Sequence, residues 1–291
     1  MKKTVAFGLC GMALLFALPA CSKSGDNESK AGVSLQIKGS DTMVNLGQSW
    51  AEKFTKLHPE INVGVTGGGS GTGFAALLNK TCDIAMSSRS VEDKEVAKAK
   101  EEKMEFAEHK VALDGLAVVV NPACGVNKFT IPELRDIFMG TKTNWKDFGG
   151  KDAKIVLLSR ESNSGTHVFF KERVLKLGKP KGPEEYTPNA LLMPSSQAIS
   201  DEVARNPNAI GYFGMGYISN KHTVIAIANE KKSEYVLPTM GNVKSGKYPI
   251  SRPLYIYVAD STNPTVKMFL DFVLSADGQA VVKSLDFVPF N

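Results

Sequence analysis

Residues 61–78 read INVGVTGGGSGTGFAALL: an alternating apolar run (Ile61, Val63, Val65), a run from Gly67 to Gly73 of five glycines with Ser70 and Thr72, then Phe74, Ala75, Leu77 and Leu78 at near-helical spacing. A Gly/Ser run alone behaves as flexible coil. Flanked in this way it reads as the turn between a strand and a helix. Glycine there removes side-chain bulk where the amides of the first helical turn are unpaired and point outward. The helix start adds roughly half a positive charge, and two hydroxyls stand beside the free amides, which is the layout of an anion cradle. A nucleotide-binding P-loop would need Gly-Lys-Ser/Thr, whereas Phe74 follows Gly73, and this argues against an NTPase.

Outward from this junction, strand and helix patterns alternate. LQIKG (35–39) reads as a strand and is followed by a helix with Leu46, Trp50, Phe54 and Leu57 on one face. DIAMS (83–87) is a short strand, the Lys/Glu-rich stretch 91–103 a solvated helix, and LAVVV (116–120) a buried strand. TIPELRDIF (130–138) opens a helix with Thr130 as cap and Pro132 in its first turn. KIVLLS (154–159), AIGYF (209–213), TVIAIA (223–228) and PLYIYVA (253–259) read as strands; 164–177 and 195–206 read as helices, and 264–285 as a helix broken near Asp277-Gly278. This order predicts an α/β fold with parallel strands.

The first twenty residues place Lys2 and Lys3 before an apolar run ending in small residues, the pattern of a signal peptide, too short and wrongly flanked for a membrane span. Leu18-Pro19-Ala20-Cys21 resembles a bacterial lipobox, and the polar stretch 21–32 reads as a tether from a lipidated Cys21. Cleavage after Ala20 leaving a free thiol is the alternative. The chain holds 35 Lys and Arg against 30 Asp and Glu. Loss of Lys2 and Lys3 leaves the mature chain near +3, which is no nucleic-acid footprint. Of four cysteines, Cys82 and Cys124 remain in the mature chain; an exporting compartment permits a bridge between them, and the spacing leaves bridge or separate thiols open.

A second strand-to-helix junction, LLSRESNSGTHVFF (157–170), repeats the Ser/Gly/Thr turn and adds Arg160 four residues before Ser164. A guanidinium gives two parallel donors to an oxyanion; a surface salt bridge is the other reading of Arg160. A third junction, GSDTMVN (39–45), brings Ser40, Asp41 and Thr42. Three donor-rich helix starts together suit a site that replaces an anion's hydration shell.

The motifs GSDTMV, GGGSGTG, DIAMSSR, DGLAVVVNP, LRDIFMGTKTNW, SRESNSGTHVFF, NAIGYFGMGYI and YPISRPLYIYV, spread over nearly the whole mature chain, resemble those of the phosphate-binding proteins of bacterial ABC-type phosphate uptake systems. Arg160 with Ser164, Gly165 and Thr166 is the most specific of these marks. The resemblance implies a two-domain type II periplasmic-binding-protein fold, each domain a mainly parallel sheet flanked by helices, joined by two hinge strands. Domain I is expected at 33–114 with 252–291, and domain II at 115–251, after a signal peptide at 1–20 and a tether at 21–32. It implies ligand contacts at Thr42, Met43, Ser70, Gly71, Arg160, Ser164, Gly165 and Thr166, with Ser88 and Arg89 as further members. Arg89 is read either as a second positive contact or as a salt-bridge partner behind the site. Ser88 stands where the best-known members carry an aspartate that accepts the ligand's proton; Asp41 and Glu161 are the other acids at hand.

The partners implied are inorganic phosphate, ABC permease subunits in the inner membrane, and the membrane itself through the lipid on Cys21, for a monomer of the periplasm or cell envelope with no cofactor. Sulfate, arsenate or molybdate remain alternative ligands, and sensing or scavenging an alternative role. The four histidines lack metal-ligand spacing, and a phosphatase built on Ser70 or Ser164 would have only His167 as a nearby base.

Overall fold

The computed structural model describes residues 33–290 apart from Pro180; the leader, Cys21 and the tether lie outside the described residues. β1 (Val33–Gly39) leads into α1 (Val44–Leu57), whose apolar face buries Leu46, Trp50 and Phe54. Trp50 donates its indole N–H to the Gly278 carbonyl at 2.8 Å, and Phe54 meets Phe269 edge-on at 5.2 Å. Each fully buried side chain of this kind contributes about 1.5–3 kcal/mol.

The glycine run is divided among three structures. β2 (Ile61–Gly68) continues through Gly67 and Gly68, Gly69 turns the chain at φ +92°, and α2 (Ser70–Leu78) takes Gly71 and Gly73 into its first turn. Gly69 lies in the region that favours glycine, and a Cβ there would stand 2.8 Å from the Asn163 carbonyl oxygen.

β3 (Ile84–Ser87), α3 (Asp93–Glu101) and β4 (Ala107–Val120) follow, then β5 (Lys128–Thr130) and α4 (Ile131–Phe138), the last opened by a capping box between Thr130 and Glu133. β6 (Val156–Arg160) precedes α5 (Gly165–Phe170), which runs on as a π turn over Lys171–Leu175. β7 (Leu191–Met193), α6 (Ser196–Arg205), β8 (Ala209–Gly214), β9 (Thr223–Val224), β10 (Ala226–Ala228) and α7 (Met240–Lys244) come next. β11 (Ser251–Val258), α8 (Pro264–Leu274), α9 (Ala276–Ser284) and β12 (Val288–Pro289) complete the chain. The C-terminal helix breaks at Ser275, whose hydroxyl caps α9, rather than at Asp277-Gly278.

The main sheet runs β2-β1-β3-β11-β4-β8-β6-β7. Its two flanks are parallel, β2-β1-β3 on one and β8-β6-β7 on the other. β4 and β11 are antiparallel to their neighbours, which leaves a mainly parallel sheet on either side of them. β4 pairs with β11 from Ala107 to Gly115, then with β8 from Leu116 to Val120, so one strand belongs to both flanks. Its first half escapes the sequence pattern because charged residues alternate on a half-exposed face, whereas LAVVV is buried throughout. The turns at the C-terminal ends of β1, β2, β3 and β6 supply the residues of the site described next. Cys82 and Cys124 are separate buried thiols, and burial pushes each up to about 11.

Candidate functional site

The three junctions meet. Thr42 Oγ1, between β1 and α1, lies 2.8 Å from Thr166 Oγ1 in the first turn of α5. Ser70 Oγ, at the start of α2, accepts from the Ser88 amide at 3.1 Å and sits 3.4 Å from Ser88 Oγ, which is 3.5 Å from Thr166 Oγ1. Ser40 Oγ donates to Ser88 Oγ at 2.9 Å. Ser164 caps α5, its hydroxyl accepting from the His167 amide at 3.4 Å. All these side chains are buried. Gly165 lets the two flanks approach: a Cβ there would fall on Ser70 Oγ and stand 2.8 Å from Ser88 Oγ.

The guanidinium on this cluster belongs to Arg252 of β11. Its Nη2 donates to Thr166 Oγ1 at 3.0 Å and Thr42 Oγ1 at 3.3 Å, and its Nη1 to the Ser88 carbonyl at 2.9 Å. Asp114, opposite it in the β4–β11 ladder, accepts from Nε and Nη2 through Oδ2 at 3.1 and 2.9 Å, and from the Met215 amide through Oδ1 at 3.0 Å. Burial pulls the Arg252 guanidinium below its usual range, and the Asp114 charge and hydrogen bonds work against that shift. Phe169 covers the guanidinium at 5.3 Å.

Arg160 and Arg89 make no hydrogen bond to these hydroxyls, although Arg160 lies near enough for its charge to act on Arg252. Arg160 donates to Asp41 Oδ2 at 2.5 Å, to the carbonyls of Met193 and Pro194, and to Ser196 Oγ, which uses its fork in tying the β6 flank to the β1 flank. Asp41 Oδ1 meanwhile accepts from the Gly68 amide at 2.9 Å. Arg89 takes the salt-bridge role: it grips Glu95 through both terminal nitrogens at 2.8 and 2.7 Å, with Glu92 3.2 Å from Nε and the Phe74 ring beneath it. Burial opposes its charge, and Glu95 outweighs burial and holds the guanidinium above its usual range. Gly71 faces the seam beside the cluster, its amide donating to the Asn163 carbonyl at 2.9 Å, while Asn163 Nδ2 reaches Gly68 O at 2.8 Å. Met43 is buried in the core behind Thr42. Glu161 is exposed and does not join the cluster.

Arg252 and Asp114, which sequence reasoning did not single out, form the charged pair bonded to this cluster, with the Arg160 guanidinium close enough to act on the Arg252 charge. A signal for them exists: Arg252 is the lone charge of β11 and Asp114 the one charge within the apolar half of β4 from 111 to 120, and a charge buried there demands a partner. Chemically the site offers many hydrogen-bond donors. Among the described residues no histidine or carboxylate bonds to Ser70 or Ser164 Oγ, and His167 Nδ1 is 2.8 Å from the Arg160 carbonyl oxygen. Burial pulls the His167 pKa down to about 4, against the Arg160 carbonyl, which raises it. Among the described residues, no group of three or more His, Cys, Asp or Glu could hold a metal ion.

Residues 24–277 match the PBP superfamily domain. The chain is 32% identical over 300 residues to the phosphate-binding protein PstS of Bacillus subtilis strain 168, covering 99% of this chain and 94% of that protein. It is also 32% identical over 310 residues to PstS of Pseudomonas aeruginosa PAO1, with the same coverage of each. Among solved structures, one from Clostridium perfringens with bound phosphate superposes with a TM-score of 0.79 at 30% identity, covering 89% of this chain and 100% of that one. An ABC-type phosphate transport receptor from Vibrio cholerae gives 0.68 at 30% identity, covering 87% and 99%.

Proposed function

Because this chain belongs to the phosphate-binding proteins of the PBP superfamily, we propose that it binds inorganic phosphate outside the cytoplasm and delivers it to an ABC-type importer. One observation carries the reading: the buried hydroxyls of Ser40, Thr42, Ser70, Ser88 and Thr166, from four separate turns, converge beside a buried guanidinium. Such a set replaces the water around a small oxyanion. The protein works by binding and release, with no chemical step. A sensing or scavenging role uses the same site and differs only in lacking a permease partner.

The mature chain acts as a monomer of two lobes, 33–114 with 252–291 and 115–251, hinged near Leu116 and Pro253. Closure over the anion presents the ligand to permease subunits in the inner membrane. Titration calorimetry with phosphate is expected to give one site per chain, and small-angle scattering a smaller radius of gyration at saturation. A flat titration rejects phosphate binding; an unchanged scattering profile with binding confirmed rejects hinged closure.

The lipid on Cys21 holds the protein to the membrane through the 21–32 tether. Cys21→Ala is expected to release folded protein in soluble form. A wild-type mature chain that mass spectrometry finds free of lipid rejects the anchor.

A further inference from the structure

Part of the glycine run is fitted to protein. α2 starts behind Gly69, which has no side chain to cap the helix, and the Gly71 amide in its first turn donates to the Asn163 carbonyl at 2.9 Å. Asn163 stands in the turn between β6 and α5, on the other of the two lobes proposed above. Its Nδ2 donates back to the Gly68 carbonyl at 2.8 Å and to Thr72 Oγ1 at 3.2 Å, and the Thr72 hydroxyl donates to the same Gly68 carbonyl at 2.6 Å. The fit is close: a Cβ on Gly69 would stand 2.8 Å, and one on Gly71 3.2 Å, from the Asn163 carbonyl oxygen. The bonds of Thr166 to Thr42 and Arg252 are buried, whereas both Nδ2 bonds of Asn163 are exposed. This contact therefore joins the two lobes at the rim, where water reaches it.

We propose that Asn163 is a clasp: a positioning residue that fastens the closed cleft at its rim, and so sets how long a bound anion is held rather than how fast it enters. The inference rests on the two-lobe closure proposed above and adds to it the residue that holds the closed state. Association starts from an open cleft, in which Asn163 stands apart from Gly68, Gly71 and Thr72. Release has to break these bonds first. Truncating the side chain leaves the main-chain bond to Gly71 and removes the Nδ2 donor, the equivalent of about one net hydrogen bond. Release should therefore quicken by about 3–10-fold, with association unchanged.

The test is stopped-flow phosphate binding to the mature chain, wild type against Asn163→Ala, Thr72→Val and the double variant, with amide hydrogen exchange at Gly71 measured without ligand. Asn163→Ala is expected to raise the dissociation rate by that factor and to keep the association rate. Thr72→Val, which removes an acceptor from the opposite lobe, should show the same split. Because the two side chains share one bond, their effects should not multiply in the double variant. Unchanged release from Asn163→Ala, slower association with unchanged release, or fully multiplying effects would each overturn the clasp and leave phosphate binding intact. Should the wild type not take up phosphate, the functional reading fails, and exchange then decides this one. Faster exchange of the Gly71 amide in Asn163→Ala than in the wild type supports the clasp, and equal exchange overturns it.

Discussion

Arg252→Met is expected to lower stability by about 3–5 kcal/mol, because it strands Asp114 as a buried, unpaired carboxylate. For a chain of this size that corresponds to a fall of roughly 10 °C in melting temperature. The same change frees the hydroxyls of Thr42 and Thr166 from their donor and leaves a negative charge beside the anion, so phosphate affinity should fall by about a thousandfold or more. The double variant with Asp114→Asn separates the two effects. It removes the stranded charge and should recover much of the stability, yet bind phosphate poorly. Thermal melts and calorimetry on both variants check this. An Arg252→Met protein that binds phosphate like the wild type would remove Arg252 from the site and return the cationic role to Arg160.

Gly165→Ala should rank second. Its methyl group would occupy the space now shared by Ser70 Oγ and Ser88 Oγ, forcing the β6 flank away from the β2 and β3 turns. Two hydroxyl donors to a charged ligand, at about 1.5–3 kcal/mol each, would be displaced together, which converts to a loss of roughly 10²–10⁴-fold. The fold should hold, since Gly165 begins α5 without a positive φ and the nearest atoms a methyl group would meet belong to the Ser70 and Ser88 side chains rather than to backbone. Unchanged affinity with an unchanged melt would show that the hydroxyl cluster is not where the anion sits.

These two positions differ in how far the sequence foretold them. Gly165 stands in a Ser-Gly-Thr turn between a strand and a helix, and its proximity to an anion follows from neighbours within a few residues. The role of Arg252 depends on Asp114, Ser88, Thr42 and Thr166, at separations of 138, 164, 210 and 86 residues. Nothing in a local window encodes those distances.

The alternating apolar period of residues 61–65, the helical spacing of Leu46, Trp50 and Phe54, the capping box at Thr130 and the punctuation of the glycine run are local signals, and from them the α/β class, the strand–turn–helix junctions and their Ser/Thr donors could be read. Which of three arginines faces those donors was decided by tertiary pairing alone. Each guanidinium is neutralised by a different acid: Arg89 by Glu95 on the next helix, Arg160 by Asp41 across the seam, and Arg252 by Asp114 across the β4–β11 ladder. A buried charge takes the partner that the strand register brings within hydrogen-bond reach. That register is set by the packing of both flanks at once, so the assignment exists only in the folded chain.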